Sequence, residues 1–300
     1  MNPLIKIYKY VKSKGLLNVI GDRPYVMGKY WLKMGHPMSR TNPQTYTEKI
    51  NWLKLYDHNP QYIPLVDKWE VAKIVGERIG KEYIIPKLGV WKSVDEIDVD
   101  ALPHQFVLKC TNDSGGIVIC RDKSRFDIEE ARPILERSLK TNYYWHDREW
   151  PYKDIQPRIL AEEYIEDASG TGLFDYKFFC FDGQPRFMFI ATGRAEGNTC
   201  FDFFDMDFNW IPVMQHYPNA KKRPQKPISF ELMKQLAATL SEGMKHVRVD
   251  FFEVNGRVYF GELTFTHFGG YERFVPEEFD KQFGQYLDIS ELIRSQGGFL

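Results

Sequence analysis

The hydrophobic and polar positions of this chain follow two periods. Apolar residues recur every three to four positions, the spacing of amphipathic helices, over residues 3–20, 45–53, 66–79, 127–140 and 229–245. Apolar runs typical of strands cover residues 106–110, 117–120, 158–165, 176–181, 185–192, 247–254 and 258–263. The turn dipeptides Asp182-Gly183 and Asn255-Gly256 join their flanking strands into hairpins. The pattern predicts an α+β fold with lobes around a cleft.

The first predicted helix has a basic face. Its apolar side carries Leu4, Ile7, Tyr8 and Val11, and its other side carries Lys6, Lys9, Lys12 and Lys14. We expect it to pack on the body of the protein, with contact to anionic lipid as the alternative. It lacks the apolar core and cleavage site of a signal peptide, and no stretch reaches the length of a membrane span. We therefore expect a cytoplasmic protein, or one peripheral to the inner face of the membrane.

Composition excludes several classes of protein. The 300 residues include 40 Lys+Arg and 41 Asp+Glu, so a formal net charge of −1 gives no general attraction to nucleic acid. A hydrophobic fraction of 43% and a charged fraction of 27% argue against disorder, collagen and coiled coils. The four cysteines have no zinc-site spacing, which favours buried reduced thiols. The aromatic fraction of 15% is high, and we expect most of these rings in the core of the second lobe.

A lysine inside an apolar strand is the first chemical signal. Lys109 lies in the strand 106–110, where an ammonium group is costly unless it reaches an anion or a cleft. The turn after it, Ser114-Gly115-Gly116, offers backbone N–H groups of the kind that cover nucleotide phosphates. On this signal alone, a tight hairpin beside an edge lysine is the favoured interpretation.

Two carboxylates on the last hairpin are the second signal. Asp250 and Glu262 lie on opposite sides of the Asn255-Gly256 turn and fall roughly opposite each other. They repel unless a cation lies between them, and Mg²⁺ suits such ligands. Arg248, two residues before Asp250, shares their face. A cross-strand ion network around Arg248 is an almost equal alternative.

The third signal is a strand that ends in acidic and aromatic residues. Glu162, Glu163, Tyr164 and Ile165 could present a carboxylate, backbone groups and a ring to adenine. A solvated strand end is the favoured alternative for this signal alone.

The order of these segments resembles the ATP-grasp superfamily. The set comprises residues 67–73, 106–109, 111–116, 160–165, 175–177, 248–250 and 261–264. The runs 175–183 and 259–266 look more narrowly like the TupA-like branch, which is associated with teichuronopeptide and other bacterial surface polysaccharides. The resemblance spans about residues 30–285. It implies two α/β lobes that clamp a nucleotide, at 66–155 and 156–300, after a mainly helical extension at 1–65.

The resemblance also implies roles for individual residues. ATP would be bound by Lys68, Lys109, Ser114, Gly115, Gly116, Glu162, Glu163, Tyr164, Ile165, Asp175 and Lys177. Within this set, Glu162 would accept from the adenine amino group, and Asp175 is a candidate for the ribose. Asp250 and Glu262 would hold Mg²⁺, with Mn²⁺ as an alternative. The catalytic set would be Arg248, Lys109 and Lys177, with Arg248 stabilising an acylphosphate and a tetrahedral intermediate.

The chain departs from the family pattern where the acceptor should bind. Thr264 stands where these ligases commonly have Asn, and fewer than 70 residues precede Lys68, too few for the usual Rossmann-like domain. Candidate substrate residues are Thr264, His267, Gly269, Gly270 and Arg273, with His36, Arg40 and Tyr46 on the other side. A glycine-rich loop without a role in substrate binding is an equal alternative for residues 267–270.

The implied activity is ATP-dependent formation of an amide from a carboxylate and an amine. The expected partners are a small-molecule amine and a carboxylate-bearing sugar, nucleotide sugar or glycan, and the oligomeric state stays open. A phosphotransferase acting on a sugar hydroxyl is one alternative. A glycosyltransferase is another, because Asp205-Met206-Asp207 and Asp98-Val99-Asp100 have the spacing of its metal motif.

Overall fold

The computed structural model describes residues 15–168 and 172–296, together with Lys6, Tyr8 and residues 10–12. Leu4 and Ile7 of the first predicted helix lie outside the described residues, and the described part of 6–12 is helical. A 3-10 turn, Leu16–Val19, follows. No helix of the described chain is long and apolar enough to cross a membrane.

Runs of helices and runs of strands follow one another along the described chain. The α-helices are α1 (Asp22–Met34), α2 (Tyr46–Tyr56), α3 (Ile63–Val66), α4 (Glu70–Ile79), α5 (Ile128–Leu139), α6 (Tyr144–Asp147), α7 (Phe230–Ser241), α8 (Glu278–Gly284) and α9 (Ser290–Ser295). The strands are β1 (Lys87–Trp91), β2 (Phe106–Cys110), β3 (Ile117–Cys120), β4 (Ile159–Glu163), β5 (Asp175–Phe181), β6 (Gln184–Thr192), β7 (Cys200–Asp205), β8 (Trp210–Ile211), β9 (Met214–Gln215), β10 (His246–Val254), β11 (Arg257–Thr264) and β12 (Phe274–Val275).

The first sheet is antiparallel and has the order β1-β4-β2-β3. Its inner face packs on α5, where Phe106, Leu108 and Leu135 are fully buried. The chain enters this sheet at Lys87 and leaves it at Glu163, and Lys87 and Glu162 are Cα partners. Because β4 belongs to this sheet, the lobe boundary predicted between residues 155 and 156 is wrong, and the division follows Glu163.

The second sheet has the order β11-β10-β5-β6-β7-β8 and is covered on both faces. Helices α4 and α7 pack on one face, with Val75 and Ala237 in its core. Helix α4 therefore belongs with the second sheet, and its predicted place in the first lobe is wrong. Helices α2 and α8 cover the opposite face. Both predicted hairpins, β5-β6 and β10-β11, are confirmed.

Aromatic rings fill the core between the second sheet and helices α2 and α8. The ring centroids of Phe179 and Phe187 lie 4.4 Å apart, and those of Phe187 and Phe283 lie 3.9 Å apart, both in stacked geometry. Tyr46 is also fully buried there. The prediction that most of the aromatic excess forms the core of the second lobe is confirmed.

The N-terminal extension is helical, as predicted. Thr45 caps the start of helix α2. Its hydroxyl accepts from the Glu48 N–H, and the Glu48 carboxylate accepts from the Thr45 N–H. Helix α1 buries Tyr25, Val26 and Tyr30 against residues that include Tyr271. This packing places one face of α1 beside the end of the cleft between the two sheets.

Candidate active site

A cleft of 1180 Å³ separates the two sheets. The predicted site residues that line it are Lys68, Lys109, Ser114, Glu162, Asp175, Lys177, Arg248, Asp250, Glu262, Thr264, His267 and Gly269. The others, which are not among the lining residues, are Gly115, Gly116, Glu163, Tyr164, Ile165, Gly270 and Arg273. We call the part lined by Lys87, Lys109, Lys177 and Asp250 the sheet end, and the part lined by Lys12, Lys29, Lys33 and Asp147 the helix end.

Glu162 joins two lysines at the sheet end. Its buried carboxylate forms ion pairs with Lys87 on β1 and Lys109 on β2, the strands on either side of β4. Burial alone would raise the pKa of Glu162, but the two ammonium groups outweigh it and lower this pKa to about 2. The carboxylate therefore holds two cations in the cleft. It is not the free acceptor for adenine that the resemblance implied.

Hydrogen bonds of Lys68 and Asp113 hold the glycine-rich loop in position. Lys68 donates to the Asp113 carbonyl, and the Asp113 carboxylate accepts from the Gly116 N–H at 3.1 Å and from the Ser138 hydroxyl. A Cβ at Gly116 would lie 2.5 Å from the Ser138 Cβ, so this glycine allows a close approach to α5. Of the predicted loop residues, Ser114 is the one that lines the cleft.

The predicted adenine strand lies at the edge of the cleft. The Glu163 N–H donates to the Pro86 carbonyl at 3.0 Å, and the Tyr164 hydroxyl accepts from Arg121 at 3.2 Å. An apolar wall of the cleft is instead formed by Ile84, Ile85, Phe252, Phe260 and Leu263. This wall was not predictable from the sequence, because apolar strand positions look alike whether they face a core or a cleft.

A β-bulge brings the two predicted metal carboxylates opposite each other. Near the Asn255-Gly256 turn the partners are Phe251 and Phe260, and an unbroken register would pair Asp250 with Gly261. The register shifts between Phe251 and Asp250, so Asp250 is the Cα partner of Glu262. The predicted pairing of Asp250 and Glu262 is confirmed.

Arg248 lies between these carboxylates. Its Nε and Nη2 lie 2.7 and 2.6 Å from the two Asp250 oxygens, and Nη2 lies 2.9 Å from Glu262 Oε1. Lys177 also pairs with Asp250. Burial would raise the pKa of Asp250, but Arg248 and Lys177 together lower it. The cross-strand ion network that the sequence left open is present.

The same carboxylates suit a divalent cation. Asp250 and Glu262 both reach one point, now held by Arg248 Nη2, and carboxylate oxygens are the ligands that Mg²⁺ prefers. The described chain contains no cluster of three or more Asp, Glu, His or Cys side chains able to hold a metal. The protein would therefore supply two carboxylates, and phosphate oxygens and water would supply the other ligands.

His267 orients the Arg248 guanidinium by accepting a hydrogen bond from it. Arg248 Nη1 lies 2.6 Å from His267 Nδ1, and an arginine can only donate, so Nδ1 is the acceptor. The proton is then on Nε2, which donates to Gln215 Oε1 at 2.8 Å. Burial lowers the pKa of His267 well below its ordinary value, so the ring is neutral. The predicted substrate residue His267 thus contacts Arg248, while Gln215 was not predicted.

Asp175 and Lys177 lie side by side on β5. The buried Asp175 carboxylate is 3.5 Å from the Lys177 ammonium and 3.0 Å from the Arg194 guanidinium. Arg194 lines the cleft and was missed, because it lies in the turn after β6 with no pattern around it. Two cations therefore converge on the residue predicted to bind ribose.

The remaining candidates do not form a metal or acceptor site in the described chain. Asp205 caps a turn by accepting from the Asp207 and Asn209 N–H groups, and Asp98 does the same for Asp100. The Tyr46 hydroxyl lies 3.1 Å from His246 Nε2 inside the core. His36, Arg40 and Tyr46, the candidates for the other side of the substrate, are not among the residues that line the cleft.

The sequence also matches a known family. A model of the TupA-like ATPgrasp family covers residues 48–288. The chain belongs to the TupA-like ATP-grasp family. The predicted family and the predicted α+β ATP-grasp fold are both confirmed.

Three of the solved structures that are similar to this chain are ligases. D-alanine–D-alanine ligase from Bacillus anthracis, complexed with ATP, has 17% identity over 67% of this chain and 54% of its own, with a TM-score of 0.40. L-amino acid ligase from Bacillus licheniformis has 13% identity over 72% and 47%, with a TM-score of 0.42. The ATP-grasp ligase PsnB, complexed with minimal precursor, Mg and ADP, has 9% identity over 74% and 58%, with a TM-score of 0.39.

The chain spans about half the length of the first two of these ligases. A comparison with curated proteins gives no match.

Proposed function

We propose that this ATP-grasp protein is a carboxylate–amine ligase that uses ATP and Mg²⁺. The observation that carries the proposal is the concentration of cations around two carboxylates at the sheet end. Lys68, Lys87, Lys109 and Lys177 line one part of the cleft together with Arg248, Asp250 and Glu262. The ammonium groups would neutralise a triphosphate, and the apolar wall at Phe252 and Phe260 would cover adenine.

The proposed reaction has two steps. A carboxylate oxygen of the acceptor attacks the γ-phosphorus of ATP, the bond to the β,γ-bridging oxygen breaks, and ADP leaves. The amine nitrogen then attacks the acyl carbon, the carbon–oxygen bond to phosphate breaks, and the amine loses a proton as the amide forms. ATP, a carboxylate and an alkylammonium ion thus give an amide, ADP, inorganic phosphate and a proton.

Residues of this chain would act by binding and charge stabilisation. Lys109, Lys177 and Arg248 would stabilise the charge that develops on the γ-phosphoryl group and on the acyl oxygen. His267 and Gln215 would keep the Arg248 guanidinium in one orientation. Mg²⁺, held by Asp250 and Glu262, would neutralise phosphate charge when bound.

The proposed acceptor is a uronic acid of a bacterial capsular or cell-wall polysaccharide, or its precursor, and the amine is an amino acid or another small amine. Support for this finer proposal comes from the resemblance to the TupA-like branch. The phosphotransferase alternative differs in the oxygen that attacks ATP, because a sugar hydroxyl would replace the carboxylate.

An oxygen-18 experiment tests the proposal. Glucuronic acid labelled in both carboxylate oxygens is incubated with the protein, Mg·ATP and a panel of amino acids and amino sugars. If the ligase reaction occurs, one labelled oxygen appears in the released inorganic phosphate, and sustained ADP release requires both acid and amine. ADP release without an amine, giving a phosphorylated sugar and no label in phosphate, would instead establish the phosphotransferase. The absence of ATP binding would reject both.

A further inference from the structure

The helix end of the cleft holds more positive than negative charge close to its wall. Lys29 and Lys33 lie one turn apart on α1, so they share a face, and both line the cleft with Lys12. The Asp147 carboxylate pairs with Lys29 and lies 3.5 Å from Lys12. Two ammonium groups thus meet one ionised carboxylate, and a third, on Lys33, lines the same cleft.

A fourth lysine, Lys54, and a second acid, Glu149, do not make the helix end electrically neutral. Lys54 is buried, donates to the Gly269 carbonyl at 2.6 Å and lies 4.0 Å from the centre of the Tyr271 ring. Burial lowers the pKa of Lys29 to about 8 and that of Lys54 to about 7. Burial, together with the Asp147 charge, raises the pKa of Glu149 to about 8. An added anion would stabilise the ammonium forms of these lysines.

This cluster lies beside the reaction centre. The Gly269 carbonyl that accepts from Lys54 is two residues from His267, so their Cα atoms are at most about 7 Å apart. His267 in turn contacts Arg248. A molecule with its reacting carboxylate near Arg248 could therefore extend a second group toward Lys29 and Lys33.

We propose that the helix end binds a phosphate or diphosphate group of the acceptor substrate. The acceptor would then carry two anionic groups, a carboxylate that reacts and a phosphate ester that anchors it. The cations of this end are lysines, which act on phosphate as point charges, whereas the planar fork of arginine suits a carboxylate. The inference rests on the proposed function, because it concerns the acceptor of that reaction.

The test compares two ligands that differ only in the phosphate group. Glucuronic acid 1-phosphate and glucuronic acid are titrated calorimetrically into the full chain with Mg·ADP held at saturation, so the sheet end is occupied. The wild type should bind the phosphate ester at least about tenfold more tightly. Lys29→Gln and Lys33→Gln should each reduce this ratio at least about threefold, and Lys140→Gln, on the exposed end of α5, should leave it unchanged.

Two variants keep the outcome interpretable. The Lys29 variant loses the buried ion pair with Asp147, so thermal melting monitors its folding; Lys33 lies on the half-buried surface of α1 and provides the second arm. Equal affinities for the two ligands in the wild type, or an unchanged ratio in both variants, would overturn the phosphate subsite while leaving the ligase proposal standing. Failure of Mg·ADP itself to bind would remove the proposed function and the subsite together.

Discussion

The two ends of the cleft are built in different ways. At the sheet end the charged side chains lie on neighbouring strands, and cations meet carboxylates directly, as Lys109 meets Glu162 and Lys177 meets Asp250. At the helix end, Lys29 comes from α1 and its partner Asp147 lies 118 residues away. Pairing between strands fixes the spacing of charges at one end, whereas the packing of separate segments fixes it at the other. Under the proposed function, the sheet end would bind the nucleotide and the helix end would bind the acceptor.

The largest expected effect comes from the sheet end. Lys109→Met should lower ATP-dependent turnover about 10³-fold, because a charge that stabilises the transferred phosphoryl group is lost. Stability should change little, since Lys87 still pairs with Glu162. Steady-state ADP release with matched thermal melts measures both quantities. Lys140→Met is the control, because this lysine side chain is 76% exposed and lies outside the cleft lining. Turnover above one tenth of wild type would exclude Lys109 from the chemistry.

The next effect concerns folding at the same end. Asp250→Asn leaves the buried cations Arg248 and Lys177 without their carboxylate, and should lower the free energy of unfolding by about 3 kcal/mol. Glu262→Gln is the matched control, because its carboxylate is 46% exposed and should cost less than about 1 kcal/mol. Urea denaturation measures the difference. Equal losses of unfolding free energy in the two variants would contradict the expectation that the buried Asp250 carboxylate contributes more to stability than the half-exposed Glu262 carboxylate.

The smallest of the three effects tests the helix end through pH. Glu149 has a pKa of about 8 in the folded protein against an ordinary value of 4.5, so the folded state holds a proton that the unfolded state loses as pH rises from 4.5 to 8. The wild type loses stability across this window, and Glu149→Gln does not. At pH 6 the variant should be more stable by about 2 kcal/mol, with the difference shrinking toward pH 4.5 and growing toward pH 8.

Urea denaturation at pH 4.5, 6 and 8 checks this expectation. Effects of other titrating groups cancel when the variant is compared with the wild type at each pH. A stability difference that stays constant across the three pH values would mean that Glu149 is ionised throughout. The helix end would then carry two negative charges beside its lysines, and its excess of positive charge would be smaller.

The sequence predicts the sheet end better than the helix end for a physical reason. Asp250 and Glu262 flank an Asn-Gly turn, so their approximate pairing follows from counting residues along a hairpin. The one-residue bulge that makes them partners was not predictable from that count. Lys109 was recognisable because a lysine interrupts an apolar strand, whereas Lys87 begins a strand that shows no such contrast.

The acceptor side shows where sequence reasoning fails. The sequence patterns predicted no helix at the position of α1, which carries Lys29, and nothing near Lys29 in sequence indicates that Asp147 will lie against it. Glu162 was assigned to adenine through the resemblance, yet its position in the centre of a sheet gives it two lysine neighbours instead. Such roles depend on which strands and helices become neighbours, and local spacing carries no information about that.

The chain enters and leaves the first sheet at two neighbouring points. It enters at Lys87 and leaves just after Glu162, and these residues are Cα partners joined by an ion pair. The stretch between β3 and β4 is attached to the rest of the protein as well, because Asp147 pairs with Lys29 on α1 and Arg158 pairs with Glu70 on α4. Movement of the first sheet relative to α1 and α4 would therefore strain or break these ion pairs.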